Sequence, residues 1–80
     1  MKRVKIAELE PDSDMLEVVG RVLEEPEVRY VREKKVVSLV LADDTGQVMA
    51  SIWDPHAERC SQLRPGQILR LVNAYTSTFR

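Results

Sequence analysis

Cysteine, glycine and aromatic side chains are all scarce in this chain of 80 residues. With one cysteine, Cys60, no internal disulfide can form, which fits a reducing compartment. Three glycines, none clustered, leave no Gly-rich phosphate loop. No run approaches the roughly 20 apolar residues of a membrane span. The basic start, Met1-Lys2-Arg3-Val4-Lys5, lacks the apolar core of a signal peptide, so the chain reads as intracellular. An excess of positive charge is missing too. Twelve basic and thirteen acidic residues leave a net charge of -1, so attraction to a polyanion must come from local clustering. What remains is an ordinary globular composition, 44% hydrophobic and 31% charged. The length allows one domain, residues 1–80, with a thin stability margin.

The pattern along the chain is short and β-like, without repeats or an internal linker. Residues 15–24 (MLEVVGRVLE) alternate, with Leu16, Val18 and Val22 on one face and Glu17 and Arg21 on the other. Gly20 interrupts this strand where a bulge or sharp bend is expected. Residues 25–34 are polar and irregular, a long loop or a ragged hairpin. Residues 35–42 (KVVSLVLA) form a second strand, with Val37, Leu39 and Leu41 inward. Asp43-Asp44-Thr45-Gly46 is a tight turn, with Gly46 free to take positive φ. A third strand covers 47–53 (QVMASIW). Asp54 and Pro55 suit the cap and first position of a short helix ending near Leu63, and Arg64-Pro65-Gly66 stops it. Residues 67–75 (QILRLVNAY) form a fourth strand. A helix between the third and fourth strands of a small twisted sheet predicts an all-β fold, the oligonucleotide/oligosaccharide-binding (OB) barrel.

The chemistry-bearing residues are few. In 47–53, Val48, Ala50 and Ile52 form the apolar set, and Trp53 falls in phase with Gln47, Met49 and Ser51. Its ring therefore points away from the core, as a platform for unpaired bases or a half-buried closure of the barrel end. Tyr75 and Phe79 are four apart and share a face of a continuing strand. Leu69 and Leu71 have the same parity as Tyr75, so either Tyr75 is a core residue or the strand kinks near Asn73-Ala74. Arg29, Arg32, Lys34 and Lys35 cluster in the first inter-strand segment, as phosphate contacts or as a solvated sheet edge. Arg21 and Arg70 fall on the polar sides of their strands and are further phosphate candidates. Catalysis has little to draw on. His56 and Cys60 share a helix face, but a structural zinc site needs four ligands. Asp43 and Asp44 are explained by their turn. The residues suggest no enzyme, cofactor or metal.

The run ADDTGQVMASIWD, followed by LRPGQILRLVNAY and TSTF, resembles the single-OB-fold single-stranded-DNA-binding proteins of archaea and their relatives near replication protein A. VVGRVLE resembles the family's first strand, and the likeness covers about residues 4–80. The resemblance implies a five-stranded Greek-key barrel whose chain stops where the fifth strand would begin. That strand is then missing or supplied otherwise, by a second copy or by the N-terminal KRVKI segment. It also implies base stacking on Trp53, Tyr75 and Phe79, which favours the kinked alternative for Tyr75. The expected partner is single-stranded DNA, with RNA as the competing ligand. The expected setting is replication or repair in the cytoplasm, on the nucleoid if the source is archaeal. The open edge offers a route to homo-oligomers. The alternative function is a protein-interaction OB module without nucleic-acid affinity.

Overall fold

The structure is a computed structural model that describes residues 1–77. Six strands form one mixed sheet. They are β1 (Lys2–Arg3), β2 (Leu16–Val22), β3 (Glu27–Val31), β4 (Lys34–Ala42), β5 (Gln47–Trp53) and β6 (Ile68–Ala74). A 3-10 turn spans Ile6–Glu8, and a four-residue helix, α1 (Ala57–Cys60), separates β5 from β6. No helix is long and apolar enough to cross a membrane.

β5 pairs with β4, β4 with β2, and β2 with β6, all antiparallel. The fourth main strand thus returns beside the first, which is the Greek-key order expected of an OB barrel. The two strands that periodicity missed are β1 and β3. β1 runs parallel to β2 at Leu16 and Glu17, so the N-terminal segment does not fill the place of a missing strand. β3 makes the ragged segment a regular hairpin with β4, closed by Arg32 and Glu33, both at positive φ.

The inward sets follow the alternation. Val18 and Val22 of β2, Val37, Leu39 and Leu41 of β4, and Ile52 of β5 pack with Ile6 and with Ala57 of α1. Gly20 is required by this packing. A Cβ there would sit 2.6 Å from Leu41 Cγ and 2.8 Å from the Ala42 carbonyl oxygen. The missing side chain therefore serves the close approach of β2 to β4. The irregularity in β2–β6 pairing lies elsewhere, between Leu16 and Val18.

The turn at 43–46 also departs from expectation. Gly66, not Gly46, takes positive φ, at +96°. Asp43 organises the turn instead: its Oδ1 accepts from the Thr45 amide (2.7 Å), the Thr45 hydroxyl (2.5 Å) and the Gly46 amide (3.2 Å). Its Oδ2 accepts from the Ile6 amide at 2.8 Å, tying the N-terminal turn to the β4–β5 hairpin. These donors lower the Asp43 pKa from 3.8 to about 2, the Thr45 hydroxyl being the largest cause. Asp54 does not cap α1 either. Its carboxylate accepts from the Lys35 amide at 2.9 Å, and His56 occupies the cap position.

Candidate nucleic-acid interface

Directly opposed residues in antiparallel strands share a face. On the outer face, Val36 of β4 lies between Trp53 of β5 and Arg29 of β3. Val36 is nevertheless 0% exposed. Val36 is thus fully buried within this row, in register with both Trp53 and Arg29. Trp53 keeps 41% of its surface exposed. The row carries an indole with a wet side, flanked across one strand by a guanidinium.

The next rows extend this face along β4. Ser51 opposes Ser38, Met49 opposes Val40, and Gln47 opposes Ala42, which opposes Arg21 of β2. Six residues separate the Val36 row from the Ala42 row, about 20 Å at strand rise. Met49 is 69% exposed and shares the Trp53 phase. It was not among the residues singled out from sequence, although the same alternation points to it.

The hairpin cations divide by face. Arg29 and Lys34 lie on the Trp53 face, the latter opposite Val31, and Arg32 stands at the tip. Lys35 opposes Tyr30 on the other face, so the structure does not bring it beside Trp53. Its ammonium donates to Glu58 of α1 at 2.5 Å. That bond, the largest cause, raises the Lys35 pKa. Arg70 is also committed, donating to Glu17 at 3.1 Å, and Arg3 approaches the same carboxylate at 3.4 Å. The hydrogen bond from Arg70 lowers the Glu17 pKa. Among the described residues no ion pair involves Arg21, Arg29, Arg32 or Lys34. Of the cations singled out from the sequence, these four are the ones left available to an incoming anion.

Tyr75 is not a core residue; it is 71% exposed. β6 shifts register against β2, with Val18 opposite Leu71 but Leu16 opposite Ala74. Val72 and Asn73 together face Glu17, and Asn73 takes φ +58°. The extra residue reverses the phase, so Ala74 turns inward and Tyr75 outward. Thr76 pins the segment beyond. Its hydroxyl donates to the Glu10 carbonyl at 2.6 Å and accepts from the Ser13 amide at 2.9 Å. No strand pairing places Tyr75 next to Trp53, since β6 pairs with β2 and β5 with β4. Phe79 lies outside the described residues.

Burial pushes the Cys60 thiol pKa up, so it is a poor nucleophile at neutral pH. Among the described residues no group of three or more His, Cys, Asp or Glu side chains could hold a metal ion.

No family model matches the chain. It is 31% identical over 80 residues to the single-stranded DNA binding protein Ssb of Saccharolobus solfataricus, covering 95% of this chain and 52% of that protein. It is 36% identical over 78 residues to replication factor A of Methanothermobacter thermautotrophicus, covering 92% of this chain and 10% of that protein. The chain therefore spans about half of the first relative and a tenth of the second. Its fold matches the solution structure of a replication factor A related protein from Methanobacterium thermoautotrophicum, with a TM-score of 0.67 and 28% identity. That match covers 86% of this chain and 66% of the other. By sequence and by fold, the chain is similar to archaeal Ssb and replication factor A proteins over the part of them that it spans.

Proposed function

We propose that this chain binds single-stranded nucleic acid, DNA in the first place, on the outer face of β4 and β5. The observation that carries the reading is the half-open Trp53 indole on this face, in one row with buried Val36 and with Arg29 across it. Every base has a π-face, so such a platform stacks bases without regard to sequence. Met49 widens the apolar surface along the same strand. Arg29, Arg32, Lys34 and Arg21 neutralise phosphates, whereas Lys35 and Arg70 already serve Glu58 and Glu17. Tyr75 offers a second exposed ring, and Phe79 a third candidate by its spacing. The relatives are named for single-stranded DNA binding and for replication, and the role proposed here is protection of exposed strands in replication or repair. The role is that of a binder in the cytoplasm, without catalysis or a cofactor.

Local charge also makes the reading quantitative. Three or four phosphate contacts give log K a slope of roughly -2 to -3 against log salt for a single strand. Affinity then falls about 20- to 50-fold for a four-fold rise in salt. The test is a titration with an unstructured deoxyoligonucleotide, following Trp53 fluorescence at two salt concentrations. Quenching with that salt slope supports the reading. No quenching at low salt, and no binding by a second method, removes it. The competing function, a protein-interaction module, is favoured by the edge of β5, which among the described residues pairs with β4 alone, and predicts salt-independent capture of a protein instead.

A further inference from the structure

The strand that carries Trp53 ends on an unusual pair. In an antiparallel ladder, residue pairs alternate between those that exchange two backbone hydrogen bonds and those that exchange none. The Asp43 amide donates to the Gly46 carbonyl, and the Asp54 amide donates to the Lys35 carbonyl at 3.2 Å. These bonds set the phase. Val37 with Ile52 and Lys35 with Asp54 are hydrogen-bonded pairs, and Val36 with Trp53 lies between them. Trp53 is therefore directed by the pair on either side of it. On the Asp54 side, the return bond does not use the main chain. The Lys35 amide donates to the Asp54 carboxylate at 2.9 Å, which takes the place of the Asp54 carbonyl. The chain is then released to turn, and the His56 amide donates to the Trp53 carbonyl at 3.1 Å. Lys35 is itself anchored. Its ammonium donates to Glu58 at 2.5 Å and to the Ser61 hydroxyl at 3.5 Å, both on the segment that buries Ala57 in the core.

We infer that Asp54 is a positioning residue for the Trp53 ring: its carboxylate completes the ladder beyond Trp53 and so holds the indole in one direction before a base arrives. The inference rests on the strand-binding reading for what the ring does, and on the Asp54–Lys35 bonds alone for how it is held. The charge of Asp54 makes the two roles separable. A carboxylate next to a stacking ring repels the phosphates of a bound strand, so on charge alone its removal tightens binding. As a positioning group its removal loosens the ring, and ordering the ring then takes up part of the binding free energy. Asparagine separates the two effects, because its amide oxygen still accepts a hydrogen bond and its charge is gone. Alanine removes both the acceptor and the charge.

The test compares Asp54→Ala and Asp54→Asn with wild type, each as the whole chain. Trp53 is the only tryptophan, so time-resolved anisotropy of its emission reads ring motion in the free protein. The ring is expected to turn with the molecule in wild type and in Asp54→Asn, and to gain a subnanosecond component in Asp54→Ala. Affinity for an unstructured deoxyoligonucleotide, read from a label on the strand, is expected to fall about 3- to 10-fold in Asp54→Ala, a share of the loss of one stacking contact. Asp54→Asn is expected to bind as tightly as wild type or more tightly. In a Trp53→Ala chain, Asp54→Ala is expected to weaken binding no further, whereas a general loss of structure would. An Asp54→Ala ring as still as that of wild type overturns the inference. So does unweakened binding by Asp54→Ala, an Asp54→Asn chain as weak as Asp54→Ala, or a further loss in the Trp53→Ala background. Should Asp54→Ala fail to fold, the Lys35 amide decides: it must resist hydrogen exchange in wild type and in Asp54→Asn, and open exchange in either overturns the inference. The anisotropy uses no nucleic acid, so its failure leaves the strand-binding reading intact. A wild-type chain that binds no oligonucleotide removes that reading and leaves the positioning of the ring standing.

Discussion

Replacing Gly20 by alanine probes the close approach of β2 to β4. The added Cβ would meet Leu41 Cγ at 2.6 Å and the Ala42 carbonyl oxygen at 2.8 Å. Ordinary carbon contacts lie near 3.5–4.0 Å, so β2 must retreat by roughly 1 Å. Neither obstacle yields easily. Leu41 is fully buried, and Ala42 is held in register with both Arg21 and Gln47. Among the described residues the β2–β4 ladder is short, Arg21 with Ala42 and Val22 with Leu41, extended by the Leu23 amide donating to the Val40 carbonyl at 3.0 Å, so a retreat strains the whole junction. Overpacking of this kind costs about 1–3 kcal/mol. At about 2 kcal/mol, a domain of this size loses roughly 8–16 °C in Tm. Urea unfolding should show a lower midpoint with an unchanged m-value. Gly46→Ala is the control, because its Cβ would meet only Ile6 Cγ2 at 3.7 Å, an ordinary contact. It should change stability by less than about 0.5 kcal/mol. Equal effects of the two substitutions would refute the reasoning.

Three further predictions follow from the site and its supports. Asp43 has a depressed folded-state pKa, so its contribution is full above about 3.8 and disappears as pH falls toward about 2. Acid titration followed by circular dichroism should show a stability loss in that window, and Asp43→Asn should flatten it. Asn73→Ala forces a Cβ-bearing residue without a local polar partner into the left-handed region and should cost about 1 kcal/mol, while Asn73→Gly should be close to neutral; chemical denaturation separates them. Lys34→Ala should weaken oligonucleotide binding and reduce the magnitude of the salt slope by roughly 0.7, whereas Lys35→Ala, whose ammonium is held by Glu58, should leave the slope unchanged.

The legibility of the site followed the regularity of each strand. β5 alternates without interruption, so its period placed Trp53 outside the core, and the same period reaches Met49. β6 does not. One residue in the left-handed conformation, Asn73, inverts the phase of everything beyond it, and a parity count through a bulge assigns Tyr75 to the wrong side. Asparagine's tolerance of positive φ was the available signal, and the kink near Asn73-Ala74 was the alternative it supports. Lys34 and Lys35 show a different limit. Clustering in sequence ignores pleat, and adjacent residues of a strand face opposite ways. Lys35 has the parity of Val37, which fixes its side, but its partner Glu58 is 23 residues away and only the fold brings them together. The segment 25–34 stayed open between a loop and a ragged hairpin because Arg32-Glu33 lacks the Asn-Gly chemistry of a two-residue hairpin turn. The reach of Asp43 to Ile6 is equally long-range, so the turn could be read but not its second task.

Replacing Trp53 by alanine tests the central claim most directly. The affinity of the variant for an unstructured deoxyoligonucleotide should be measured against wild type at one low salt concentration, by a method independent of tryptophan emission. Loss of one stacking contact, about 1–3 kcal/mol, predicts a Kd raised roughly 5- to 150-fold. A folded Trp53→Ala chain that binds as tightly as wild type would contradict the account.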